Sequence, residues 1–255
     1  MEAAEADVGL LGLLPLLGIS FGDFALEEIL SVAFWAALWK IIVANIVLSG
    51  DNAVVIALAS HNLSDKYRRR AIVFGSAGAV VLRIIFCAVI GLLLGIPYLK
   101  LAGGALLLWI GAKLAAGEEG GEDVTAHENV WAAIWTIVVA DAVMSLDNAI
   151  AIAAAAKGDL PLIAIGLALS IPIIVFGATL IAKLLDRFPW LGVIGAGLIG
   201  WIAGEVMAGD ETIASALERL VPHAETVCAA AGAVLVLALG FVVSRLQAAR
   251  KHAER

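Results

Sequence analysis

The residues best equipped for chemistry come as one short polar pattern written twice. The first copy holds Asn45, Ser49, Asp51 and Asn52, and the second holds Asp141, Met144, Ser145, Asp147 and Asn148. Carboxylates, carboxamides and hydroxyls are hard oxygen donors, a set suited to Mg²⁺, Ca²⁺ or Mn²⁺. Met144 adds a thioether, which serves a transition metal better than magnesium or calcium and tilts the set toward Mn²⁺. His61, His127, His223 and His252 fall in polar stretches, and Cys87 and Cys228 in apolar ones. An imidazole or thiolate metal centre is therefore not expected.

Both polar groups interrupt long apolar runs. Of 255 residues, 62% are hydrophobic and 15% charged, against about half and about a quarter in a soluble domain, which points to an all-α polytopic membrane protein. About seven spans are expected, at about 32–58, 71–95, 99–116, 130–156, 161–184, 190–208 and 225–245. No room is left between them for a soluble enzymatic domain. An ionisable group near the bilayer centre costs at least about 2.5 to 3.5 kcal/mol, so it marks a site unless it is neutralised. At about 100° per residue, Asp141, Met144, Ser145, Asp147 and Asn148 fall within a sector of about 160°, facing protein or a cavity instead of lipid. Asp51 and Asp147 lie at its edge. A break at Ser49-Gly50 would turn Asp51 inward and free backbone carbonyls, a device weaker in the second copy, where Leu146 replaces glycine. Arg83, central in the second span, is the expected counter-ion to Asp51, Asp141 or Asp147. Pro172 is expected to kink the fifth span at the level of the site. Lys40 is expected to snorkel, and Glu205 is a candidate proton acceptor.

Residue n laid over residue n + 96 aligns Trp35 to Ala59 with Trp131 to Ala155, matching Ser49 with Ser145 and Asp51-Asn52 with Asp147-Asn148. A fainter echo near an offset of about 92 brings Trp109 over Trp201. The expected organisation is an acidic interfacial segment at 1–31, a three-helix unit at 32–116, an acidic Gly-rich cytoplasmic loop at 117–129, a second three-helix unit at 130–208, an external loop at 209–224, and a seventh helix with a basic tail at 225–255. Three being odd, the units would enter the membrane from opposite sides as an inverted 3+3 repeat, an arrangement that commonly places a substrate site at midplane. Lys66, Arg68, Arg69 and Arg70, with Lys113, Lys183, Arg187 and the basic tail, would share the cytoplasmic side, leaving Lys100, Lys157 and Arg219 outside. The positive-inside rule then sets the N-terminus out and the C-terminus in.

Leu48-Ser-Gly-Asp-Asn-Ala-Val-Val-Ile-Ala-Leu and Ala140-Asp-Ala-Val-Met-Ser-Leu-Asp-Asn, with the Arg83 region, Leu169-Ser-Ile-Pro and Phe188-Pro189, resemble the TerC family of integral membrane proteins over about 30–210, in the branch of bacterial manganese exporters. That resemblance implies a divalent-metal efflux pathway lined by the acidic and amide residues, most often for Mn²⁺. Some members carry glutamate where this chain has Asn45, so the chain has one carboxylate fewer.

The expected function is export of Mn²⁺ across a bacterial inner membrane. Asp51, Asp141 and Asp147 would bind the cation, and Asn45, Asn52, Asn148, Met144, Ser49 and Ser145 would complete its shell. Moving two positive charges outward against about 100 mV costs about 4.6 kcal/mol, so a coupling ion is needed, H⁺ first and Na⁺ second. No tightly bound cofactor and no nucleic acid is expected. The metal is substrate, the bilayer is a partner, and a homo-oligomer remains open. The rival readings are an intramembrane aspartyl hydrolase with an Asp51/Asp147 dyad, a Ca²⁺ transporter, and a membrane anchor for soluble partners, which the short loops disfavour.

Overall fold

The computed structural model describes residues 32–116 and 126–253, with side chains from 130 in the second block and to 246 at its end. The segment expected to be interfacial at 1–31 and residues 117–125 of the acidic loop expected at 117–129 lie outside the described residues, while 126–129 belong to a helix and not to that loop. Within them every regular element is an α-helix: α1 Val32–Leu48, α2 Gly50–Ser60, α3 Asp65–Leu93, α4 Leu99–Ala115, α5 Ala126–Ala155, α6 Leu160–Arg187, α7 Trp190–Ala208, α8 Ala214–Leu220 and α9 Ala224–Ala253.

Five helices, α3, α5, α6, α7 and α9, are long and apolar enough to cross a bilayer, and α1 with α2 forms a sixth, bent by 53°. The seventh expected span, α4, is 17 residues long, about 25 Å at 1.5 Å per residue and short of a full hydrocarbon core. Side chains that would be buried in a soluble protein face outward here, among them Phe74, Phe176 and Phe241. Trp35, Trp39, Trp131 and Trp135 are also exposed. An apolar surface this continuous suits lipid and not water.

Two bundles share the molecule. In one, α3 packs on α5 and α6, and α6 also packs on α1 and α2; in the other, α7 packs on α9 and α4. The second bundle is drawn together by small residues, as is usual where hydrophobic sorting cannot hold helices. A Cβ on Gly204 would stand 2.0 Å from the Cys228 carbonyl oxygen, and one on Gly200 would stand 2.5 Å from that of Gly232. No larger residue fits either contact.

The elements differ from the sequence expectation at their ends. α3 begins at Asp65 behind Ser64, whose extended backbone (φ −60°, ψ 152°) starts the helix, so Lys66 and Arg68 to Arg70 occupy its first turns and not a loop. Arg68 donates to the Asp186 carboxylate at 2.6 and 3.3 Å and to the His61 carbonyl at 2.7 Å, tying the starts of α3 and the end of α6 to the end of α2. The loop expected at 209–224 contains the short α8, and the last helix runs on to Ala253, past Arg250 and Lys251.

Candidate functional site

Arg83 lies in the middle of α3 with its side chain 2% exposed. A guanidinium at that depth is tolerable only if its donors are met and its charge is paired. Its Nη1 donates to Asn45 Oδ1 at 2.5 Å and to Ser49 Oγ at 2.8 Å. Nη2 donates to Asp141 Oδ1 at 2.6 Å, and Nε to Ser145 Oγ at 2.8 Å. Both serines accept from Arg83, so their hydroxyl hydrogens remain to be donated: Ser49 to Asn45 Oδ1 at 3.3 Å and Ser145 to Asp141 Oδ2 at 3.0 Å. Asn45 and Asp141, like Ser49 and Ser145, stand 96 positions apart in the chain. Equivalent residues of the two copies thus grip one cation from two helices.

The amides extend the network across the copies. Asn52 Nδ2 donates to Asp141 Oδ1 at 2.5 Å, and Asn148 Nδ2 donates to the Leu48 carbonyl at 3.1 Å. Asn45 Nδ2 donates to Ser170 Oγ at 2.5 Å, and Ser170 passes its own hydrogen to the Leu167 carbonyl at 2.7 Å. Asn52 Oδ1 is buried without a hydrogen-bond partner, an acceptor whose desolvation nothing in the protein offsets.

The break expected at Ser49-Gly50 is present, and it explains where Asp51 and Asn148 act. α1 stops at Leu48 and α2 restarts at Gly50. Asp51 then falls in the first turn of α2, where its Oδ1 accepts from the Asn52 backbone N–H at 2.8 Å, a stabilising place for a carboxylate. The Leu48 carbonyl, released from the ladder, is the one Asn148 takes.

Asp147 goes elsewhere. It is 52% exposed and pairs with Lys100 Nζ from the first turn of α4. Asp147 is paired with Lys100 and Asp51 with the Asn52 backbone amide, an arrangement different from two carboxyls that share a proton. Among the described residues, no three His, Cys, Asp or Glu side chains converge to hold a metal ion. The three aspartates have three separate partners: Asp141 has Arg83, Asp51 has the Asn52 amide and Asp147 has Lys100. Met144 is buried among Val55, Leu107 and Ile199. Pro172 sits inside a continuous α6 with its ring exposed. The contact from that stretch is made by Ser170, two residues earlier, which the sequence marks only as part of a kink. Lys40 is exposed, as is Glu205, which lies within electrostatic reach of Asp51 and Asp147.

A cavity of about 320 Å³ opens beside the Lys100–Asp147 pair, lined by residues of the 93–100 turn, Leu146 and Asp210 to Thr212. Asp210 organises this end: its carboxylate accepts from the Leu101 amide at 3.1 Å and the Thr212 amide at 3.0 Å. Burial works to raise its pKa, but hydrogen bonds from the Thr212 side chain and from the backbone of Leu101, Thr212 and Lys100 outweigh that and hold it below the ordinary carboxylate value.

Comparison with known proteins agrees with this architecture. The chain is 41% identical over 177 residues to the uncharacterized membrane protein YjbE of Bacillus subtilis, covering 69% of this chain and 81% of that one. It is 29% identical over 216 residues to YceF of the same organism, covering 80% and 81%, and 29% identical to the UPF0053 protein YegH of Escherichia coli over 49% of this chain and 28% of that one. No solved structure matches. Residues 30–252 match the family described as "Integral membrane protein TerC family", which takes in both polar motifs, Arg83, Lys100 and Asp210; the chain belongs to the TerC family of integral membrane proteins.

Proposed function

We propose that this chain exports divalent metal cations, Mn²⁺ foremost, through the site where Asp141 meets Arg83. The observation that carries this reading is the convergence of Asn45 with Asp141 and of Ser49 with Ser145 on one buried guanidinium. Around it stand the oxygens a hard dication would use: the Asp141 carboxylate, the Asn45 carbonyl, the serine hydroxyls and the unpartnered Asn52 Oδ1. Arg83 and a dication on Asp141 would repel each other, so cargo enters as the guanidinium withdraws, and a doubly charged ion takes the place of a singly charged one at depth. Mn²⁺ ranks first because Met144, one turn from Asp141, would add a thioether that favours a transition metal if its side chain turned from its packing on Val55, Leu107 and Ile199 toward these oxygens. Asp51, Asp147 and Asn148 continue the pathway toward the end that carries Lys100.

The equivalence of the two grips supports an inverted 3+3 repeat whose halves rock about this point to alternate access. With the N-terminus outside, the 94–98 turn faces outward and the Arg68–Asp186 latch faces the cytoplasm of a bacterial inner membrane. Entering H⁺ that protonates the same carboxylates would drive export, with Na⁺ as the second candidate. The test is Mn²⁺ flux in proteoliposomes under imposed proton, sodium and metal gradients. Flux that is lost in Asp141→Asn is expected; no Mn²⁺ movement under any gradient would overturn the reading.

A further inference from the structure

We infer that Lys100 is a tethered competitor for the transported cation, holding the Asp147 carboxylate at the mouth of the pathway so that the metal is released there instead of retained. This rests on the export reading above and adds a role for a residue outside both polar motifs. Four observations carry it. Lys100 is the cation that meets Asp147, and its ammonium is well shielded, with the side chain 16% exposed. Asp147 is half open, and the cavity of about 320 Å³ lies against both Lys100 and the adjoining Leu146. The other charged groups lining that cavity, Asp210 and Glu211, are acidic, and Glu205 on α7 lies within electrostatic reach of Asp147 and Asp51. Finally, α4 is fixed where Lys100 leaves it, since the Leu101 amide is bound to Asp210 and the Tyr98 amide to Thr212 Oγ1 at 3.3 Å.

A largely apolar mouth that carries Glu211 and opens beside Asp147 attracts dications and, without a rival, would keep them. Conduction needs sites strong enough to fill and weak enough to empty. An ammonium on a fixed helix end, within reach of the carboxylate, competes at the high effective concentration of a short tether. Each ion leaving the central site displaces Lys100 from Asp147, and Lys100 then reclaims the carboxylate as the ion departs. The inner and outer aspartates thus share one device, a built-in cation: Arg83 on Asp141 and Lys100 on Asp147.

The experiment is Mn²⁺ flux by the full chain in proteoliposomes, with KM and maximal rate measured separately for wild type, Lys100→Gln and Lys100→Arg. Loss of the ammonium should lower KM by about threefold, the scale of a partly exposed ion pair, and lower the maximal rate because release slows. A guanidinium pairs with carboxylate more firmly, so Lys100→Arg should raise KM. The arginine variant tests the inference by itself if the glutamine variant does not fold. A KM unchanged in Lys100→Arg, or moving the same way in both variants, overturns the inference while leaving export intact. Absence of wild-type flux is a different result and counts against the export reading itself.

Discussion

The two polar copies share a serine and an Asp-Asn pair at the same spacing, with Asn45 in one standing where Asp141 stands in the other, yet the helix breaks in the first and runs through in the second. α1 gives way to α2 at Ser49 with a bend of 53°, whereas α5 continues past Ser145 and Leu146 without interruption. The aspartates that follow part company accordingly: Asp51 turns into the first turn of a new helix and Asp147 stays on the outer face of an old one, opposite Lys100. What the copies keep in common is the turn before the break, Asn45 with Ser49 and Asp141 with Ser145, closed on Arg83. Sequence repetition here preserves the grip on a buried cation and relaxes everything beyond it.

The largest expected effect comes from removing what both copies hold. Arg83→Gln leaves the Asp141 carboxylate buried without its counter-charge, a loss of about 3 to 5 kcal/mol, and should lower the thermal midpoint in detergent while abolishing flux. Adding Asp141→Asn should restore much of the stability, because the orphaned charge goes with it. Equal midpoints for the single and double variants would show that the ion pair does not organise the site.

Exchange of the unequal members tests whether the grips are interchangeable. In Asn45→Asp combined with Asp141→Asn, Arg83 keeps one carboxylate and one amide, now on opposite helices. The expected cost is about 1 to 2 kcal/mol, the scale of a few remade hydrogen bonds, with folding retained. A loss as large as that of Arg83→Gln would mean that Asp141 is needed on α5 in particular, where Asn52 and Ser145 also bind it.

Much of this was legible in the sequence, and the reasons it stops where it does are physical. Repetition and helical period put Asn45, Ser49, Asp141 and Ser145 on one face, and the expense of a charge in hydrocarbon singled out Arg83 and named Asp141 among its partners. Ser49-Gly50 marked the break because glycine favours it where leucine does not. Helical period leaves Asp147 at the edge of its sector, but the side to which it turns depends on where α4 begins, and that is set by Asp210, more than a hundred positions from the Leu101 amide it holds. In the sequence Lys100 is only one of the few cations on the outer side, because periodicity does not measure the reach of a lysine side chain. Ser170 lay hidden behind Pro172 for a similar reason: a lone serine in an apolar span reads as a local backbone bond, and its contact with Asn45 exists only once α6 and α1 are packed.

Gly50 separates the static and moving parts of the difference. A Cβ there would meet nothing within 4 Å, so the space beside the break is open. Gly50→Ala should therefore stabilise the protein by about 0.4 to 1 kcal/mol, by reducing unfolded-chain freedom and favouring helix. If the bend is a hinge in transport, the same variant should slow Mn²⁺ flux. A higher thermal midpoint with undiminished flux would make the bend a fixed feature of the first copy and nothing more.

The smallest effect concerns the support that lets the second copy differ from the first. Lys100 can face Asp147 because Asp210 holds the start of α4. The Asp210 carboxyl sits below its ordinary value, so the stability it contributes is complete above the usual carboxylate range near about pH 4. It is lost as the pH falls through the lowered pKa. Asp210→Asn removes that dependence, since an amide does not titrate. Its thermal midpoint should lie a little below wild type from pH 7 down to about pH 5 and converge on it in stronger acid. A gap that stays constant throughout would mean that the charge of Asp210 does not anchor α4, and would leave the pairing of Lys100 with Asp147 to rest on packing of the 94–98 turn alone.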